Sequence, residues 1–174
     1  REQSKVSLIW KAPDTEPKTV TEDFERYDAW STEFGDWTLV DGNKGYAGGF
    51  FNDLWYPNQF TQFAYIIFNP YVLGEDVPRL NPWLLPSSGN QYAAVPYELD
   101  ATGQAYVNSD NWIISPKLSG QAQTISFYVH NMMVNNVAYI ENYDVLCSTT
   151  GNAITDFTNI VAKNREAVSG EWEK

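Results

Sequence analysis

Asp110-Asn-Trp-Ile-Ile-Ser-Pro-Lys-Leu-Ser-Gly120, followed shortly by Gln123-Thr-Ile-Ser-Phe-Tyr-Val-His130, is the stretch that decides the fold. It holds two short runs rich in β-branched and aromatic residues, Trp112–Leu118 and Thr124–Val129, separated by the turn chemistry of Leu-Ser-Gly-Gln (118–121). In the second run, alternation puts Ile125, Phe127 and Val129 on one face and Ser126, Tyr128 and His130 on the other. Similar runs recur outward in both directions at Val6–Trp10, Thr19–Phe24, Trp37–Val40, Ala64–Phe68, Tyr92–Tyr97, Tyr143–Cys147 and Asn159–Ala162. Pro96 confines the Tyr92–Tyr97 run to a sheet edge. Between the runs stand Asp-Gly-Asn-Lys-Gly (41–45), Pro-Ser-Ser-Gly-Asn (86–90) and Thr-Thr-Gly-Asn (149–152), all turn-forming. No long stretch repeats apolar residues at helical spacing without Gly, Pro or Asn cutting in, and only Ala153–Asn159 reads as a short helical turn. About nine strands so punctuated predict an all-β protein, an antiparallel β-sandwich.

The chain has 174 residues, 43% of them hydrophobic and 16% aromatic, enough apolar surface for one domain with its own core. Lys11–Lys18 is polar and interrupted by proline, so residues 1–18 read as a linker or the edge of a neighbouring domain and 19–174 as the domain itself. A net charge of −11 repels a phosphate backbone, which argues against nucleic acid and against anionic lipid surfaces. No run approaches the roughly 18 apolar residues of a membrane helix. The single cysteine, Cys147, admits no intrachain disulfide, and its place in an apolar-alternating run predicts a buried, inert thiol.

Catalytic chemistry finds few footholds. His130 is the one histidine and reads as a surface or hydrogen-bonded sheet residue rather than the base of a nucleophilic triad. There is no Cys/His cluster for zinc, no phosphate-binding glycine loop and no dinucleotide fingerprint. The chain reads as non-enzymatic, with a carboxylate-pair glycosidase as the weaker alternative. Oxygen-rich turns suit calcium better: Glu25, in Glu22-Asp-Phe-Glu25, and Asp41 and Asn43, in Asp41-Gly-Asn43, are the candidate metal ligands. The second turn begins like an EF-hand loop but departs from it at Gly45 and Asn52. Two long segments, 47–63 and 69–87, interrupt the even strand spacing. Their aromatic residues Trp55, Tyr56, Tyr71 and Trp83 form a candidate platform for stacking a sugar ring or a partner protein, or else a cover over an open sandwich end.

Six blocks in order then carry a resemblance: Val20-Thr-Glu-Asp-Phe-Glu25, Gly35-Asp-Trp-Thr-Leu-Val-Asp-Gly42, Ser88-Gly-Asn-Gln-Tyr92, Asp110 to Gly120, Gln123 to Val129, and Tyr143 to Gly151. Together they resemble the cleaved-adhesin or choice-of-anchor J domain, a MAM-related module of gingipain haemagglutinin regions and other exported Bacteroidetes proteins. The resemblance implies a galactose-binding-like jelly roll, secretion or display at the cell surface, and adhesion to a host protein or glycan. It also implies calcium stabilisation, with Glu25 beside a site completed by an aspartate of a closing strand. The family pattern continues with further strands after Gly170-Glu-Trp-Glu-Lys174, so the expectation is a jelly roll lacking its last strands. Val6-Ser-Leu-Ile-Trp10 is similar to a fibronectin type III strand and implies neighbouring domains in the same polypeptide. The functional expectation is a non-catalytic binding or adhesion module. A structural spacer, or a carbohydrate-binding module attached to a carbohydrate-active enzyme, are the alternatives.

Overall fold

The computed structural model describes residues 20–50, 54–120, 123–132, 140–167 and 170–174. The expected strand at Val6–Trp10 and the boundary near residue 18 lie outside them. The architecture is all-β, built from antiparallel pairs. Strand β1 (Thr38–Asp41) pairs with β6 (Asn111–Ile114), β2 (Tyr46–Ala47) with β5 (Glu98–Leu99), β3 (Ile66–Phe68) with β4 (Tyr92–Ala94), and β7 (Glu141–Cys147) with β8 (Asn159–Ala167). Each of the long strands grows from a run of β-branched or aromatic residues, which fit the pleated surface of a sheet.

The core gathers around β3. Ile66, Ile67 and Phe68 are all fully buried. The strand is tied on one side to β4 and on the other to the segment before β1, where Trp30 N–H donates to the Ile67 carbonyl (2.7 Å) and Ile67 N–H to that of Ser31 (2.9 Å). Rings close over it: Phe68 meets Trp30 edge-on at 5.5 Å between centroids and Phe50 at 4.8 Å, and Tyr92 lies at 5.4 Å. Such aromatic contacts add about 0.5–1.5 kcal/mol each to the burial term. The carboxy-terminal segment returns to this body, with Trp172 edge-on to Tyr92 at 5.1 Å and its indole N–H donating to the Leu85 carbonyl at 2.8 Å.

Four expectations need correction. The described part of the Thr19–Phe24 run, from Val20 on, forms no strand and leads into a turn at Glu25–Arg26. Thr124–Val129 forms no strand either; Val129 alone bridges to Glu173, and Ile125, Phe127 and Tyr128 are exposed. The proline-rich segment 69–87 is not structureless: it holds 3-10 turns at Pro70–Leu73 and Pro82–Leu84 and the short helix α1 (Asp76–Leu80). Proline occupies the first position of both 3-10 turns, where its fixed φ suits a helical start and no amide is lost. Asn69 caps the first by accepting from Tyr71 N–H at 3.0 Å. Cys147 is exposed on β7 instead of buried, because no second layer lies over that strand among the described residues. The helical turn expected within Ala153–Asn159 forms at Ile154–Asp156, where the Asp156 carboxylate accepts from Ala153 N–H.

Candidate functional site

The structure divides the four candidate aromatic residues. Tyr56 is fully buried: its hydroxyl donates to the Gly48 carbonyl at 2.6 Å, and its ring stacks on Trp30 at 5.7 Å and lies tilted against Phe50 at 4.8 Å. Desolvation pushes its hydroxyl pKa well up, with the neighbouring Tyr97 adding to the effect. Tyr56 is therefore a core residue and no part of a surface platform. Trp83 also leans inward and packs against the core. Trp55 projects outward with 71% of its surface exposed, and Tyr71 is about half exposed. A second pair went unread in the sequence: Tyr97 and Tyr106, both exposed, meet edge to face at 5.2 Å. Tyr97 lies against Gly48, whose amide donates to its carbonyl at 2.7 Å. The sequence marker was the Ala47-Gly-Gly49 run, small enough to let a ring settle on backbone.

The acidic candidates fall into two groups, and no hydrogen bond among the described residues joins them. Glu25 works as a latch on the loop before β4. Its Oε1 accepts from the backbone N–H groups of Asn90 (2.6 Å) and Gln91 (3.0 Å), its Oε2 from the Asn90 side chain (3.1 Å). Desolvation pulls the Glu25 pKa upward, but these hydrogen bonds outweigh it and hold the carboxyl below the usual value. Gly89, at φ +68°, is required here, since a Cβ would sit 2.3 Å from Glu25 Oε1. Gln91 completes the clasp by donating its amide to the carbonyls of Phe24 (2.6 Å) and Tyr27 (2.8 Å).

The second group lies where the β1–β2 turn wraps β5. Asp41 Oδ1 accepts from Lys44 N–H at 2.6 Å, and Asn43 donates its side-chain amide to Glu98 Oε2 at 2.7 Å. Asn111, opposite Asp41 on β6, donates to Glu98 Oε1 at 2.8 Å. Glu98 and Asn111 escaped the sequence reading because they lie 55 residues or more from the turn they serve. Among the described residues no three His, Cys, Asp or Glu side chains converge on one point, so any cation here would need carboxamide oxygens as well. His130 is partly buried, its ring stacked on Trp172 at 4.9 Å, and desolvation lowers its pKa.

The body is all-β with exposed aromatic rings on its loops, and the family its sequence matches makes it a module of the adhesion type. The model of the Cleaved Adhesin Domain matches residues 82–171, just over half of the chain, and the chain belongs to that family. The matched region takes in Trp83, Tyr97, Tyr106, Glu98 and Asn111 and leaves Glu25, Asp41, Trp55 and Tyr71 before it. The family is in general non-enzymatic and is usually extracellular or surface-associated. No curated protein and no solved structure matches the chain. No helix among the described residues is long and apolar enough to cross a membrane.

Proposed function

We propose that this chain is a non-catalytic adhesion module, exported to the cell exterior, that recognises a host protein or glycan through exposed aromatic rings. The observation that carries the reading is the edge-to-face pair Tyr97–Tyr106, exposed within the matched adhesin region. A ring held against solvent by a neighbour keeps an apolar face ready to stack on a sugar or a partner side chain at little ordering cost. Trp55 and Tyr71 extend the same chemistry onto the two long loops.

A glycan array together with surface-bound host matrix proteins tests it, using the intact chain and the double variant Trp55→Ala/Tyr106→Ala. The expected outcome is binding that weakens about tenfold or more in the variant, as for an aromatic hot spot, with the melting midpoint unmoved. The inward packing of Tyr56 and Trp83 favours a second reading, a spacer that displays its neighbours. Absence of binding by the intact chain to any glycan or matrix protein would select the spacer.

A further inference from the structure

Among the described residues strand β1 is paired along one edge only, the edge it shares with β6. The register says which of its backbone groups face the other way. Gly42 N–H donates to the Asp110 carbonyl at 2.8 Å, which makes Gly42–Asp110 a hydrogen-bonded pair of the antiparallel ladder. Hydrogen-bonded and non-hydrogen-bonded pairs alternate along such a ladder. Val40–Trp112 and Thr38–Ile114 are therefore bonded, while Leu39–Ile113 and Asp41–Asn111 are not. The N–H and C=O groups of Leu39 and Asp41 point away from β6, and among the described residues no backbone hydrogen bond reaches them. Strand β3 differs, since its second edge is taken by Trp30 and Ser31. Asp41 is only 6% exposed and Leu39 is partly buried, so leaving these main-chain groups unpaired is costly.

This edge opens on a cleft of about 570 Å³. Leu39 and Asp41 of β1 line it, together with Thr32 and Glu33 from the segment before β1 and Gln62 from the approach to β3. The lining carries two carboxylates, Glu33 and Asp41, against one ammonium, Lys44. Asp41 Oδ2 is buried and accepts no hydrogen bond among the described residues, so an unused acceptor stands beside the open edge. The chain as a whole carries a charge of −11, which steers cationic partners toward it.

We propose that the outer edge of β1 is a strand-addition site, where an extended, cationic segment of a partner protein joins the sheet and lays its alternate side chains in the cleft. Main-chain hydrogen bonds to Leu39 and Asp41 supply the affinity. Side chains of the added strand that share the Leu39–Asp41 face enter the cleft, where Glu33 and Asp41 select lysine or arginine. The exposed rings Trp55, Tyr97 and Tyr106 do not line this cleft, so the site stands apart from them.

The test adds an octapeptide of alternating threonine and lysine to the full chain, kept in EDTA. Amide hydrogen exchange is read by NMR, and affinity by the anisotropy of a labelled peptide. In the free chain the amides of Thr38 and Val40 should exchange slowly and those of Leu39 and Asp41 fast. Saturating peptide should slow Leu39 and Asp41 by about tenfold or more and leave Thr38 and Val40 as they were. Leu39→Pro should weaken binding by about tenfold, the effect of one lost hydrogen bond. It spares the ladder, because that N–H faces away from β6. Methylating alternate peptide nitrogens removes donors from the other partner and leaves the protein unaltered, so the test holds even where Leu39→Pro folds poorly. A threonine–glutamate octapeptide should bind at least about tenfold more weakly, and Trp55→Ala/Tyr106→Ala should bind the lysine peptide as the parent does. The proposal is overturned if the lysine peptide leaves exchange at Leu39 and Asp41 unchanged, or if N-methylation or the change to glutamate costs no affinity. It is equally overturned if both amides are already as protected as Thr38 and Val40 in the free chain, whether by the chain's own segments or by a second copy.

Discussion

Strand β3 is three residues long and wholly buried, whereas β8 is nine residues long and mostly exposed, with Ile160 at 59% and Val161 at 68%. Both come from apolar, β-branched runs that look alike in the sequence. What differs is the number of layers around them. β3 is hydrogen-bonded along both edges and roofed by Trp30, Phe50 and Tyr92. The β7–β8 hairpin pairs only with itself among the described residues, and its ring contacts with the body there include Phe127–Tyr143 and Trp112–Phe157, both at 6.0 Å. A two-stranded hairpin is marginal by itself in water. This one is held by local devices, including an irregularity at Asp144 whose Oδ1 accepts from Asn164 N–H at 2.7 Å, with Asn164 at φ +51°. Strand formation is thus a local property here, and burial is a property of the neighbourhood.

Substitutions of matched kind in the two regions probe that contrast. Phe68→Ala should cost about 3–5 kcal/mol in a urea titration, since it removes a fully buried ring from the centre of the aromatic roof. A cost below about 1 kcal/mol would break the distinction between body and hairpin. Tyr56→Phe keeps the ring and removes only the hydroxyl that donates to the Gly48 carbonyl, so a smaller loss of about 1–3 kcal/mol is expected in the same titration.

Next in size is a pH effect at the seam formed by His130 and Trp172. Desolvation sets the folded pKa of His130 below its ordinary 6.5, so the unfolded chain binds the proton first. Its contribution to stability is complete above about 6.5 and is lost as pH falls through the folded value. His130→Phe retains a ring against Trp172, and its stability should decline less steeply than that of the parent chain when melts are followed downward from pH 7. Equal slopes would remove His130 from the account. The smallest effect belongs to the hairpin: Val161→Thr should stay within about 0.5 kcal/mol of the parent chain, and a larger loss would show that β8 has a cover in solution.

The same contrast explains what could be read in advance. β1, β3, β4, β6, β7 and β8 were legible because each carries a run of β-branched or aromatic residues. β2 and β5 were not, since two residues make no pattern and their pairing is set by the turn that wraps Glu98. The turns at Pro70 and Pro82 were missed because proline was taken as an interruption, although at a first helical position it favours a start. For the site, the turn Asp41-Gly-Asn43 was legible as an oxygen-rich loop. Its partners were not, because Glu98 and Asn111 reach it only through cross-strand register. Tyr56 misled for the opposite reason: its place in a polar, proline-bearing loop says nothing of the cavity between Trp30 and Phe50 that receives it.

Cys147, lying open on β7, gives the exposed hairpin a built-in chemical reporter. As the chain's sole thiol it directs a maleimide dye to one known atom with no engineering, and the native protein should take up the dye nearly as fast as the unfolded chain. Any macromolecule that settles on this face would slow that reaction before a change in mass or shape could be seen. In an oxidising medium the same thiol can join two copies end to end, so preparations kept without reductant should accumulate a covalent dimer that dithiothreitol dissolves.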